Sequence, residues 1–188
     1  MDETIVSLCP IDLRKRVRRQ EGKRLEKRNL VPRITHEAGG VKYWGCISWN
    51  GPGPLVEIKG TLDGALYGQI LEENIPEVVQ NLNTQSPYLI EDNTKLHKTL
   101  DVKVIKQRLS MKDLDLPANS PDMNVIETVW SLWKSRILER SPQRLEELRR
   151  IATQEWHQIS VEDIRNNIKS MSDRIKAVIS SRGKNTKY

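Results

Sequence analysis

Phenylalanine is missing from the 188 residues, and cysteine is reduced to Cys9 and Cys46. Neither cysteine belongs to a close cluster of Cys or His. The sequence therefore supports neither a structural zinc site nor a disulfide framework, and a reducing intracellular setting is expected. No apolar run approaches the roughly 20 residues needed to cross a bilayer. The first residues lack the basic-then-apolar pattern of a secretory signal, and no tandem repeat or long low-complexity segment occurs. The expectation is a soluble protein, long enough for one cored domain with a helical extension, with no membrane partner.

What is present is charge, and it is unevenly placed. Thirty-one Lys and Arg oppose twenty-five Asp and Glu. Between Arg14 and Arg28 stand Arg14, Lys15, Arg16, Arg18, Arg19, Lys23, Arg24, Lys27 and Arg28, against only Glu21 and Glu26. Such a run is a candidate phosphate-contacting surface, although it carries no sequence address of its own and ordinary solvation explains basic residues equally well.

Apolar spacing organises the rest. Thr4 to Leu8 and Lys15 to Arg19 are short strand candidates. Val41 to Trp49 is rich in aromatic and β-branched residues and ends at Asn50-Gly51-Pro52-Gly53-Pro54, so it reads as a strand entering a turn. Leu55 to Lys59 would complete a hairpin. Leu66, Ile70, Leu71, Ile75 and Val78 share one helical face between Asp63 and Gln80, with Pro76 expected to bend or divide that helix. Pro87 to Glu91 reads as a strand, Thr99 to Leu109 as a helix, and Leu114 to Leu116 as a strand.

The last third is helical. Ser120-Pro121-Asp122 resembles a helix start ahead of the stripe Met123, Ile126, Val129, Trp130, Trp133 and Ile137. Ser141-Pro142 is a second start, followed by Leu145, Leu148, Ala152 and Ile159. Ser160 to Asp163 has capping-box spacing, and Ile164, Ile168, Met171, Ile175 and Ile179 form a third stripe. These elements predict an α/β fold: a sheet of mixed direction flanked by helices, with a helical carboxyl-terminal region.

Two acidic residues stand out by position. Asp92 directly follows an apolar strand, and Glu127 lies on the later amphipathic helix, with thirty-four residues between them. Strand-end and helix carboxylates can meet in an α/β fold, and magnesium prefers such oxygen donors. Two ions ~3.5–4 Å apart support phosphoryl transfer by activating the attacking oxygen and stabilising the leaving one. Each residue also has a plainer reading: Asp92 as a strand terminator bonded to its turn, and Glu127 as a surface carboxylate.

Ordered motifs carry a more specific message. Tyr88-Leu89-Ile90-Glu91-Asp92-Asn93, followed by His97, resembles the strand, Asp-Asn and downstream His of mariner-superfamily transposases. Leu116-Pro117-Ala118-Asn119-Ser120-Pro121-Asp122-Met123-Asn124-Val125-Ile126-Glu127 resembles the Pro-Ala-x-Ser-Pro-Asp-Leu-Asn-Pro-Ile-Glu signature of their Tc branch. Tyr43-Trp44-Gly45-Cys46-Ile47-Ser48, Gly53-Pro54-Leu55-Val56, Gly60-Thr61-Leu62, Tyr67 and Ile70-Leu71 continue in family order. Arg174 to Ile179 and Thr186-Lys187-Tyr188 resemble the family's carboxyl end.

The resemblance implies an RNase H-like catalytic core over residues 1–140, further helices over 141–180 packed on or extending it, and an irregular tail over 181–188. It carries Asp2 of Asp2-Glu3 over as the third acidic ligand beside Asp92 and Glu127, and it gives Asn93 and His97 supporting places. It further implies two Mg2+ or Mn2+ ions, double-stranded DNA as partner, nuclear location, a possible homodimer, and no small-molecule organic cofactor. Arg14, Lys15, Arg16, Arg18, Arg19, Lys23 and Arg24 become phosphate contacts.

The sequence also departs from the family pattern. By that pattern the paired helix-turn-helix module and the strand leading into Asp2 are expected to be absent, and Asp2 is expected at a fraying end. Thr94-Lys95 stand where Ala-Pro is usual, Val125 replaces a Pro, and Ile5 and Val6 occupy a neighbourhood that often holds Phe. Strand cleavage and transfer is therefore the leading expectation, a catalytically inactive DNA-binding remnant the second, and a structural or interaction domain the third.

Overall fold

Strand β2 (Gly40–Ser48) is covered on both faces, and the rest of the molecule is arranged around it. Side chains alternate along a strand. Val41 and Tyr43 accordingly enter one apolar cluster, while Trp44 and Cys46 enter another on the opposite face. The structure, a computed structural model, describes residues 1–8, 39–92, 94–114, 116, 120 and 123–181. The basic segment from Arg14 to Arg28, Asn93 and the tail beyond Ser181 lie outside the described residues.

Strands β1 (Asp2–Ser7), β2 and β3 (Gly51–Ile58) form an antiparallel sheet in that order, with Asp2 opposite Gly45 and Gly45 opposite Leu55. A bulge interrupts the β2–β3 ladder between Gly45 and Ile47. The hairpin is tighter than the cluster of Gly and Pro implies. Its turn is Trp49-Asn50, Ser48 pairs with Gly51 at φ 123°, and Pro52 already belongs to β3. Proline is tolerated there because β3 is the edge of this sheet, where a missing donor breaks no second ladder.

Helix α1 (Gly64–Asn81) starts where the Asp63 carboxylate accepts from Leu66 N–H at 2.9 Å. It runs unbroken through Pro76, contrary to the expected division. Pro76 and Glu72, whose carbonyl loses its donor, are both exposed, so water can take the freed group. Strand β4 (Tyr88–Leu89), a 3-10 turn at Lys95–Lys98 and helix α2 (Leu100–Arg108) follow. Strand β5 (Lys112–Asp113) then pairs in parallel with β4, two residues ahead of the position read from Leu114 to Leu116. Among the described residues these are two separate sheets, one antiparallel and one parallel, rather than the single sheet of mixed direction expected, within the α/β architecture with flanking helices that the sequence predicted.

Helix α3 (Val125–Glu139) begins at Asn124, later than the Ser120 start. Helices α4 (Leu145–His157), α5 (Val161–Lys169) and α6 (Met171–Ser180) complete the chain. Ser160 Oγ accepts from Asp163 N–H at 3.0 Å, the amino-terminal half of the expected capping box. The third stripe is not one buried face: the chain breaks at Ser170, and Ile175 and Ile179 on α6 are exposed. Among the described residues no helix is long and apolar enough to cross a membrane.

Helices α3, α4 and α5 cover one sheet face, with Trp130, Trp133, Trp156 and Tyr43 at its centre. Trp133 donates to the carbonyl of Ala152 at 2.9 Å and Trp156 to that of Gly53 at 2.8 Å, so both buried indoles keep a partner. Helices α1 and α2 cover the other face through Tyr67, Ile70, Leu71, Ile75 and Val102. The approach of α3 depends on Gly45, where a Cβ would stand 2.7 Å from Trp130 Cη2. Gly45→Ala is expected to force the indole or helix away and lower stability by about 1–3 kcal/mol. Urea unfolding followed by tryptophan fluorescence measures this, and an unchanged midpoint would show that the contact yields freely.

Candidate active site

The alternation of β1 sends two adjacent acids to opposite sheet faces. Asp2 points with Val6 toward α3, and Glu3 points toward the α1 and α2 side, where it meets His97. Asp2 is only 7% exposed. Its carboxylate accepts from Glu3 N–H at 2.8 Å and lies 3.4 Å from the amide nitrogen of Asn124, the residue that begins α3. Burial pushes the Asp2 carboxyl up to about 7. The Glu3 N–H opposes that rise, while the carboxylates of Glu127 and Glu3 add to it. Asp2 and Glu127 are thus brought within electrostatic reach of each other.

Lys134 belongs to the same neighbourhood. It is half-buried, and burial lowers its pKa while Glu127 and Asp2 hold it up. Seven residues separate it from Glu127, two turns of α3, so both sit on one side of the helix. Asn124 and Lys134 were not singled out from sequence. Their spacing of three before and seven after Glu127 was the available signal.

Asp92 is held differently. Its side chain is half-exposed and accepts from Thr94 N–H at 3.1 Å and from Thr94 Oγ1 at 2.5 Å. This is the strand-terminating turn that was its plainer reading. His97 Nδ1 lies 3.0 Å from Asp92 Oδ1 and 3.3 Å from the Asp92 carbonyl, and Nε2 lies 3.2 Å from Glu3 Oε1. The ring, 1% exposed, therefore spans from β1 to the end of β4. Burial disfavours its charged form, but Glu3, Glu91 and the Asp92 carbonyl outweigh it and raise the His97 pKa.

Asp2 lies within electrostatic range of Glu127, whereas Asp92 is tied to Thr94 and His97. Among the described residues, no three of His, Cys, Asp and Glu are gathered closely enough to hold a metal ion. The donor chemistry nevertheless fits a hard divalent cation. Asp2 is a carboxyl raised mainly by burial and further by the Glu127 and Glu3 carboxylates, and a bound cation favours its ionised form on both counts. A cavity of about 210 Å³ between Cys46, Ile75, Leu89 and Val125 is lined mainly by apolar side chains and by no acid.

Residues 1–149 match the family model described as DDE superfamily endonuclease. The chain belongs to this family. Within it, the chain is a Tc1/mariner-branch transposase catalytic domain. It is 31% identical over 188 residues to the transposable element Tc1 transposase of Caenorhabditis elegans, covering all of this chain and 68% of that protein. It is equally identical, over 192 residues, to the Tcb1 transposase of Caenorhabditis briggsae, with the same coverage.

Solved structures show the same fold. The Mos1 transposase catalytic domain, described with Raltegravir and Mn, superimposes with TM-score 0.71 at 16% identity over 79% of this chain and 78% of that one. A Mos1 transposase paired-end complex with left transposon end gives TM-score 0.78 at 17% identity over 97% of this chain and 54% of that one. The RNase H-like reading of the sheet and its flanking helices agrees with both.

The raised Asp2 and His97 pKa values set a pH dependence for the DDE domain. A carboxyl that ionises at 3.8 when unfolded and near 7 when folded binds its proton more tightly in the fold. Its contribution is therefore favourable at low pH and is lost as pH rises through that window. His97, raised as well, works in the same direction above its unfolded value. Without added metal, stability should fall as pH rises from about 4 to 8. Asp2→Asn should flatten the lower part of that slope in chemical denaturation. A wild-type slope that survives the substitution would exclude Asp2 as its source.

Proposed function

We propose that the chain is a transposase catalytic domain that cleaves and joins strands of double-stranded DNA, with Asp2, Asp92 and Glu127 holding Mg2+ or Mn2+. The observation that carries this reading is the buried Asp2 carboxylate, which accepts from the Asn124 side chain at the start of α3, the helix that bears Glu127. When bound, two ions supply Lewis-acid activation of the phosphate and stabilise charge on the departing oxygen. Glu3 N–H and Asn124 fix Asp2 from two sides, and the Lys134 ammonium supplies positive charge beside the same acids. His97 orients Asp92 and ties it to β1.

In the first step water forms a bond to phosphorus and the bond to the 3′ oxygen breaks, releasing a DNA 3′-hydroxyl. In the second that hydroxyl oxygen gives up its proton and forms a bond to a target phosphorus as the target's own bond from phosphorus to its 3′ oxygen breaks, leaving a protonated 3′-hydroxyl on the target strand. Contacts to DNA phosphates are assigned to the basic residues Arg14, Lys15, Arg16, Arg18, Arg19, Lys23 and Arg24, function to a homodimer, and location to the nucleus where the substrate lies. The Mos1 paired-end complexes support DNA and a second copy as partners by analogy.

One observation favours a second reading, an inactive DNA-binding domain. Asp92 is engaged by Thr94 and His97 rather than gathered with Asp2 and Glu127. The two readings separate in one assay. The purified chain with Mn2+ and labelled duplex is expected to nick DNA, with Asp92→Asn and Glu127→Gln each reducing the rate at least 100-fold, or roughly 3 kcal/mol of barrier. Salt-sensitive binding without nicking supports the second reading, and nicking that persists in both variants sinks the first.

A further inference from the structure

We propose that Glu91 is a positioning residue: its buried carboxylate, gripped by Lys106 and Tyr67, sets the direction in which Asp92 leaves the end of β4. The inference rests on the reading of Asp92 as a metal ligand. From Tyr88 to Asp92 the burial alternates as in an extended strand, continuing beyond β4 itself. Tyr88 is exposed, Leu89 is 3% exposed, Ile90 is intermediate, Glu91 is 9% exposed, and Asp92 is exposed. Glu91 thus occupies an inward position that any aliphatic side chain could fill without an electrostatic cost.

A carboxylate there must be desolvated, and such a group is tolerated only when paired and hydrogen-bonded. The fold supplies both. Lys106 of α2, 3% exposed, makes a short contact with Glu91 Oε1, and Tyr67 of α1 donates to Oε2 at 2.6 Å. The same Lys106 Nζ reaches Asp113 of β5 at 3.0 Å and the His97 carbonyl at 3.4 Å. An aliphatic side chain could slide or twist in its pocket. Glu91 cannot do so without leaving a buried charge or hydroxyl unpaired.

The grip on Glu91 is connected to the grip on Asp92. The Tyr67 ring stacks on His97 at 4.3 Å between centroids and 29° between planes, and His97 Nδ1 is 3.0 Å from Asp92 Oδ1. One phenol therefore holds the inward acid by its hydroxyl and backs the imidazole that holds the outward acid. Consecutive residues are pinned in opposite directions, which fixes the twist of the strand end between them. Outer partners of this kind typically alter metal affinity ~10–100-fold when removed.

The test is Mn2+ binding to the full chain, read by the electron paramagnetic resonance signal of free ion, with near-UV circular dichroism confirming that each variant is folded. Glu91→Ala is expected to weaken binding at least ~10-fold. Glu91→Gln, which keeps an oxygen for Lys106 and a polar group for Tyr67, is expected to restore affinity to near wild type. Asp92→Asn should lose binding outright. Undiminished affinity in Glu91→Ala while Asp92→Asn loses it overturns the positioning role alone, as does failure of Glu91→Gln to rescue. Wild-type affinity in Asp92→Asn overturns the metal site and this inference with it. If Glu91→Ala does not fold, Tyr67→Phe removes only the hydroxyl: a several-fold loss upholds the role, and unchanged affinity overturns it.

Discussion

The contact of Trp130 with the bare backbone of Gly45 governs how closely α3 lies on the sheet. Gly45 is the ladder partner of Asp2, and Trp130 follows Glu127 by three residues on the same helix. The distance at which the indole rests on the glycine therefore also controls how near Glu127 comes to Asp2. Packing and electrostatics share one joint: the tryptophan cluster of α3 and α4 holds the helix down, and the price is a buried carboxylate beside a like charge. That repulsion makes sense in a site suited to a divalent cation.

A second joint lies on the other face. Glu3, His97, Tyr67, Glu91 and Lys106 connect β1, α1, the end of β4 and α2 through polar contacts in otherwise apolar surroundings. Buried ionic groups add little net stability compared with an aliphatic core, but they constrain geometry because each broken contact strands a charge. The two joints divide the work. Apolar packing sets the separation of α3 from β1, and the polar network sets the direction of the strand end that bears Asp92.

Much of this was legible in the residues. The aromatic and β-branched residues of β2, followed by Gly and Pro, marked a strand entering a turn, but its burial on both faces was visible only in the fold. The apolar periodicity of α1, α3 and α4 and the Ser160 cap located these helices, although α3 and α4 begin several residues after the starts read at Ser120 and Ser141. Family motifs located Asp2, Asp92 and Glu127. Less legible were boundaries that depend on non-local contacts: Pro52 enters β3 because β2 pairs with it, and β5 is placed by the edge of β4 rather than by apolar content. The break at Ser170 was hidden because the helical stripe continues across it, although the chain there no longer packs Ile175 and Ile179.

Sequence by itself determined the fold class and the family and nominated the three acids, because periodicity and ordered motifs are local properties that a chain displays before it folds. Only the tertiary structure decided what each acid faces. How near Glu127 comes to Asp2, whether Asp92 bonds its own turn, and whether His97 bridges β1 and the segment after β4 depend on strand register, on alternation about each strand axis, and on how closely a helix can approach a glycine. These are distances between residues far apart in the chain, and packing alone sets them.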